Sequence, residues 1–360
     1  MKNTLFKKPA AILIYIMIGA GFLIFMLLIG RGDFAPKKNG FSRKAMPMNI
    51  HVLGKIENKK TFLSLAGYHD STIYLSGNNA GQLFMWDKYL SNPHVLLLRI
   101  PPNTKINSRF EMEIDSSGIR LFAGNVPAVY YFKLNGTWFK TVNNLPEVFT
   151  RSVSLNPTSF MVRIIHKRGT LYDAVFAKYN AVNNELIYEQ GISALNGDLG
   201  FSDDGLLCFD MLTKMAVYVE LFSNKITAID TNLKVVYRKH TIDTISSNRA
   251  NYNSMKLGDK KEFTNTSPKR LINSESYVDR GKLFVKSNLQ ADNETDNIFS
   301  DNSPIDVYSV KDGSYEGSFY LPNDNGKKVL RFQVFHDLLI ALYEDHVMTY
   351  RLTLNNANVR

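Results

Sequence analysis

Cysteine is nearly missing from this chain: among 360 residues only Cys208 carries a thiol. No internal disulfide can form, so burial and hydrogen bonding must hold the fold. Cys208 sits inside the apolar run Leu206 to Phe209 with no His or acidic partner in motif spacing, and it reads as a small buried side chain. Helical periodicity is missing too. After residue 30 no stretch repeats apolar residues every 3.6 positions, which excludes bundles and helical repeats. The compact catalytic signatures are also absent: there is no G-x-S-x-G, H-E-x-x-H, C-x-x-C or G-x-x-x-x-G-K-[ST]. His69-Asp70 and His336-Asp337 fall at hairpin turns, where hydrated polar residues belong. Asp203-Asp204-Gly205 and Asp115-Ser116-Ser117-Gly118 lack the alternating oxygen ligands of a calcium loop, so turn-making is their reading. No metal and no cofactor is implied.

Acidic residues are scarce where the chain is most basic. Of the net charge of +10, +7 belongs to Met1 to Lys44, with eight Lys or Arg against one Asp. The rest is only mildly basic, so nucleic acid is not implied as a partner, and the basic residues around the N-terminal apolar run suit lipid headgroups.

That run, Pro9 to Gly30 (PAAILIYIMIGAGFLIFMLLIG), has no charge and is about long enough to cross a ~30 Å hydrocarbon core. Bulky residues continue to Ile29, Arg31 follows, and neither an A-x-A site nor a lipobox cysteine closes it, so it reads as an uncleaved signal anchor. Residues 1–8 are then a short cytoplasmic head, 9–30 the transmembrane helix, 31–48 a basic linker and 355–360 a tail. The positive-inside count points the other way, because Arg31, Lys37, Lys38, Arg43 and Lys44 outnumber the positives before the helix. A large β-domain behind an eight-residue head is the usual arrangement for translocation. The expectation is a single-pass inner-membrane protein with residues 49–354 in the periplasm.

Within those residues one phrase recurs. In RFEMEIDSSGIRLFAGN, Arg109 to Asn125, Phe110, Met112 and Ile114 alternate with Glu111, Glu113 and Asp115, the period-2 mark of a half-buried strand. Asp115 to Gly118 supplies turn chemistry, and Ile119 to Ala123 returns. Phrases of this kind start near 61, 109, 151, 198, 273 and 331, mostly 40 to 50 residues apart, the spacing of propeller blades. The composition, 12% aromatic with 23 Phe and 18 Tyr, suits sheets packed face to face. The sixth phrase ends at Leu354, and Ile50 to Ile56 is the spare strand able to cover its outer edge. The expected fold is all-β: a six-bladed β-propeller behind one transmembrane helix. Seven blades stay open, because the third turn, Asn156-Pro157-Thr158, has no glycine. Thr244 to Asn273 reads as a long polar loop, and Gln290 to Pro304 as a surface tract.

Aligning the turns puts Arg109, Arg151 and Arg331 in one slot ahead of a first strand, with Arg270 close to the same slot. First strands of blades line the central channel, so these guanidiniums are candidates for an anion-binding funnel. The bland reading is that each bonds a neighbouring loop carbonyl or pairs with an acid.

In its repeat grammar, for example FEMEIDSSGIRLFAG, the chain resembles the six-bladed TolB-like propellers of bacteria, especially membrane-tethered ones, over about Asn49 to Leu354. The resemblance implies a fold and carries over no functional residue. Two functions stay open: a membrane-anchored binding or scaffolding module for an anionic ligand or protein partner, and a propeller hydrolase or lyase with a metal-assisted site in the funnel. Missing acid pairs and metal-ligand sets favour the first, so the expectation leans away from an enzyme.

Overall fold

The structure, a computed structural model, describes residues 7–30, 38–58, 64–102, 104–106, 110–142, 145–246, 252–257, 260–265 and 270–354. Six four-stranded antiparallel sheets follow one another along the chain. Their first strands are Ser64–His69, Glu111–Asp115, Phe149–Asn156, Gly205–Asp210, Asn273–Asp279 and Arg331–Phe335. Each of these touches the next, and the last touches the first, so they form a closed inner ring. This is a six-bladed β-propeller, as the phrase spacing predicts.

The local chemistry explains the hairpins. In the second blade Asp115 Oδ1 accepts from Ser117 N at 2.7 Å, and Gly118 follows at φ 130°. A Cβ on Gly118 would stand 2.4 Å from the carbonyl oxygen of Phe132, so only glycine lets the strands approach there. The apolar residues of successive strands meet at the blade junctions, where six separate cores form, one per junction. At the junction of blades two and three, for instance, Phe122 meets Phe160 edge-on at 5.7 Å. A single sheet cannot bury both faces, so the ring must close.

Closure uses both ends of the domain. Met48–Glu57 pairs antiparallel with His346–Leu354 as the outermost strand of blade six, which is the role expected of Ile50 to Ile56. The unpaired edge of that blade is thereby covered.

Several expectations need correction. Packing against the blades already holds at Gly40, ahead of Asn49: Phe41 and Arg43 are buried, and Met46 N bonds Ser318 O at 2.8 Å on blade five. Apolar and ionic contacts overrode the linker composition of 31–48 in this stretch. The polar insertion is not simply a loop, because Tyr252–Leu257 pairs with Lys260–Asn265 as a two-stranded hairpin. Gln290 to Pro304 is not all surface either, since Ala291, Glu294 and Ser303 are buried and a short helix, Asp296–Asp301, is capped by Thr295. In blade four Asp203-Asp204-Gly205 does not turn the hairpin. The first strand starts at Gly205, and the turn falls at 211–214.

The N-terminal unit, Met1–Asn39, is separate from the propeller unit, Gly40–Arg360. It is helical over Lys7–Gly30, and side chains are described over 13–26, all exposed. Among the described residues no helix is long and apolar enough to cross a membrane, so the anchor expected over 9–30 is not seen as a span.

Candidate functional site

The first strands carry charged and hydroxyl side chains that link blade to blade around the channel. Glu111 of blade two accepts from Ser152 of blade three, at 2.9 Å from N and 2.6 Å from Oγ. Glu113 accepts from Ser154 N at 3.1 Å and lies 3.5 Å from Arg120 Nε. Burial raises the carboxyl of Glu111 although Ser152 and Arg151 favour its charged form. Cys208, on the first strand of blade four, is half-buried with Sγ 3.3 Å from Ser276 O. Enclosure pushes its thiol up to about 12, so it is an inert lining group.

The expected arginine ring is only partly present. Arg109 lies outside the described residues. Arg151 donates from Nη2 to Asp204 Oδ1 at 3.0 Å and from Nε to Gly205 O at 2.5 Å, both at the start of blade four. Arg331 donates from Nη1 to Glu275 Oε2 at 3.3 Å across to blade five. Arg270 is exposed just ahead of the strand Asn273–Asp279. Arg151 and Arg331 thus match the bland reading, each held by a carboxylate of a neighbouring blade.

What sequence reasoning missed is Lys286, on the second strand of blade five. Leu283 and Val285 of that strand face blade four while Phe284 faces blade six, so Lys286 follows Phe284 toward blade six. It is 5% exposed, and Nζ donates to Ser274 Oγ at 2.9 Å and Asn288 Oδ1 at 3.1 Å. A β-bulge between Asn273 and Glu275 sets both Ser274 and Glu275 against Lys286. Burial and the nearby charge of Lys328 bring the ammonium down to about 8. Glu275 beside it is pushed up to about 7 by burial, against the pull of Arg331, Lys286 and Arg151. The one signal in the sequence is a lysine directly behind three consecutive apolar residues in LFVKS.

Among the described residues no group of three His, Cys, Asp or Glu is placed to hold a metal ion. A cleft of ≈ 220 Å³ lies between the last and first blades, beside the His336 turn of the last, lined by residues including Tyr68, Lys88, His336 and Arg351.

No family model matches the chain, and no curated protein does. The likeness to known proteins is one of fold. A member of the DUF4221 family from Bacteroides vulgatus superposes with a TM-score of 0.50 at 12% identity, over 89% of this chain and 100% of that one. A protein of Bacteroides fragilis gives 0.51 at 8% identity, over 88% of this chain and 98% of the other. At such identities these structures support the propeller and nothing of its chemistry.

Proposed function

We propose that this protein is an extracytoplasmic binding or scaffolding module of the TolB-like kind, held at the inner membrane by its N-terminal apolar helix, which takes an anionic ligand or an acidic protein partner at the channel mouth. The observation that carries the reading is the charge at that mouth. Arg151, Arg331 and Lys286 approach from three blades, and the carboxyl beside two of them, Glu275, is disfavoured as an anion by its surroundings. A carboxylate that resists ionisation leaves its basic neighbours ready for an external anion. The exposed apolar side chains of the helix, such as Leu13, Tyr15 and Phe22, support a lipid partner for that segment.

Two measurements test this. Membrane fractionation of a C-terminally tagged full-length chain should leave it in the carbonate-washed membrane pellet, with the tag digestible in spheroplasts. Recovery in the soluble fraction, or a tag protected in spheroplasts, overturns the tether or its orientation. Acidic peptides, dicarboxylates and sugar phosphates should raise the melting temperature of the wild type more than that of the Arg151→Gln, Arg331→Gln double variant. Equal shifts overturn the mouth as the site.

A further inference from the structure

The channel mouth is not evenly basic, and the imbalance is concentrated between blades five and six. Lys286 forms a buried floor there, while Lys328, whose charge bears on it, and Arg331, which reaches the same Glu275, are exposed. An ammonium has three donors, and Lys286 spends two of them on neutral oxygens, those of Ser274 and Asn288. Among the described residues no carboxylate forms an ion pair with it. Glu275, opposite it in the strand register, turns to Arg331 instead. Lys286 and Arg331 therefore share one carboxylate. Lys328, whose Nζ stands 4.7 Å from the ring centre of Phe299, adds charge without adding an acid.

We propose that Lys286, Lys328 and Arg331 form a binding site for one small oxyanion, a phosphate group or a carboxylate, at the junction of blades five and six. The floor supplies a dehydrated point donor, and Arg331 supplies a planar fork that can serve two oxygens of the same anion. Ser274 and Asn288 orient the ammonium as they do now. The lowered basicity of Lys286 agrees with a cation held without its counter-ion, because an arriving anion removes the repulsion from Lys328. The bulge at Ser274 is the backbone device that brings hydroxyl and ammonium together.

This inference rests on the reading of the mouth as a binding site, so the test separates the two. Full-length protein in detergent is titrated with inorganic phosphate or with malonate at constant ionic strength, balanced with chloride, and melting is followed. Wild type should shift upward with at least one of the two anions, and which anion works assigns the ligand class. Lys328→Gln should weaken the apparent affinity about fivefold, Lys328→Glu should abolish the shift, and Arg351→Gln, in the cleft between the last and first blades, should leave it unchanged. Lys286→Met should abolish it as well, and where that variant does not fold the Lys328 pair decides alone. Equal shifts in wild type and Lys328→Glu overturn the site. A shift lost in Arg151→Gln but kept in Lys328→Glu moves the anion to another part of the mouth and spares the broader reading. No shift in the wild type with either anion at tens of millimolar sinks both.

Discussion

The guanidinium of Arg43 lies against the carboxylate of Asp306, Nε to Oδ1 at 2.8 Å, with both side chains almost wholly buried. Nη1 of the same arginine donates to both oxygens of Glu294, at 2.8 and 2.9 Å, and to Leu289 O at 3.0 Å. This cluster pins Gly40 to Met48 to blade five immediately before the chain becomes the outer strand of blade six. The N-terminal segment thus ties the last two blades together.

Breaking that cluster from one side should be costly. Arg43→Met leaves two buried carboxylates without their cation, and the domain should lose about 3–5 kcal/mol in urea denaturation. A loss below about 1 kcal/mol means the acids find water or protons cheaply, and the clamp is then not a structural element.

Stability should fall as pH rises from acid to neutral. Glu275, ordinarily near 4.5, is pushed up to about 7 by burial, with Arg331 of blade six, Lys286 of its own blade and Arg151 of blade three around it. Between those two values the folded chain binds more protons than the unfolded one, so unfolding becomes easier through that window, by roughly 3 kcal/mol at most. Glu275→Gln should melt with the wild type near the acid end and above it at pH 8. Asp203, pushed up to about 6 by burial, slopes the same way and remains in the variant. Parallel melting curves at every pH would contradict the assignment to Glu275.

Gly200 should not tolerate a side chain. Arg163 donates to Asp203 Oδ1 at 2.6 Å, packs over the Tyr218 ring at 5.4 Å, and leaves no room beside it. A Cβ on Gly200 would stand 2.3 Å from that of Ala174 and 2.6 Å from Arg163 Nη2, at φ +73°. Gly200→Ala should destabilise by roughly 2–4 kcal/mol in chemical denaturation, and a neutral result would show that Arg163 can move aside.

The hairpin in the insertion should be dispensable, its flanks not. Tyr252–Leu257 and Lys260–Asn265 form a sheet of their own outside the six blades. Replacing 252–265 with a short Gly-Ser linker should keep the melting temperature within a few degrees, because closure entropy changes slowly with length. Carrying the deletion to Asn273 should abolish cooperative melting. That residue bonds the carbonyls of Glu220 and Ser223 at 2.9 and 3.1 Å, and Ile272 before it is fully buried.

The amino-acid sequence by itself determined the blades. Alternation such as that of Glu111 to Asp115, with an Asx turn and a glycine behind it, depends only on the two-residue period of a strand and on local backbone chemistry, so its repetition announced six sheets and a spare closing strand. Only the tertiary structure decided which charges meet. Arg43 finds Glu294 and Asp306 251 and 263 positions away, and Arg331 finds Glu275 across a blade junction. Lys286 became a buried floor through a bulge that no local pattern marks. Ion pairing follows distance in space, and in a closed ring that distance is set by how sheets stack and by which strand closes the last blade, neither of which is written in any single window of residues.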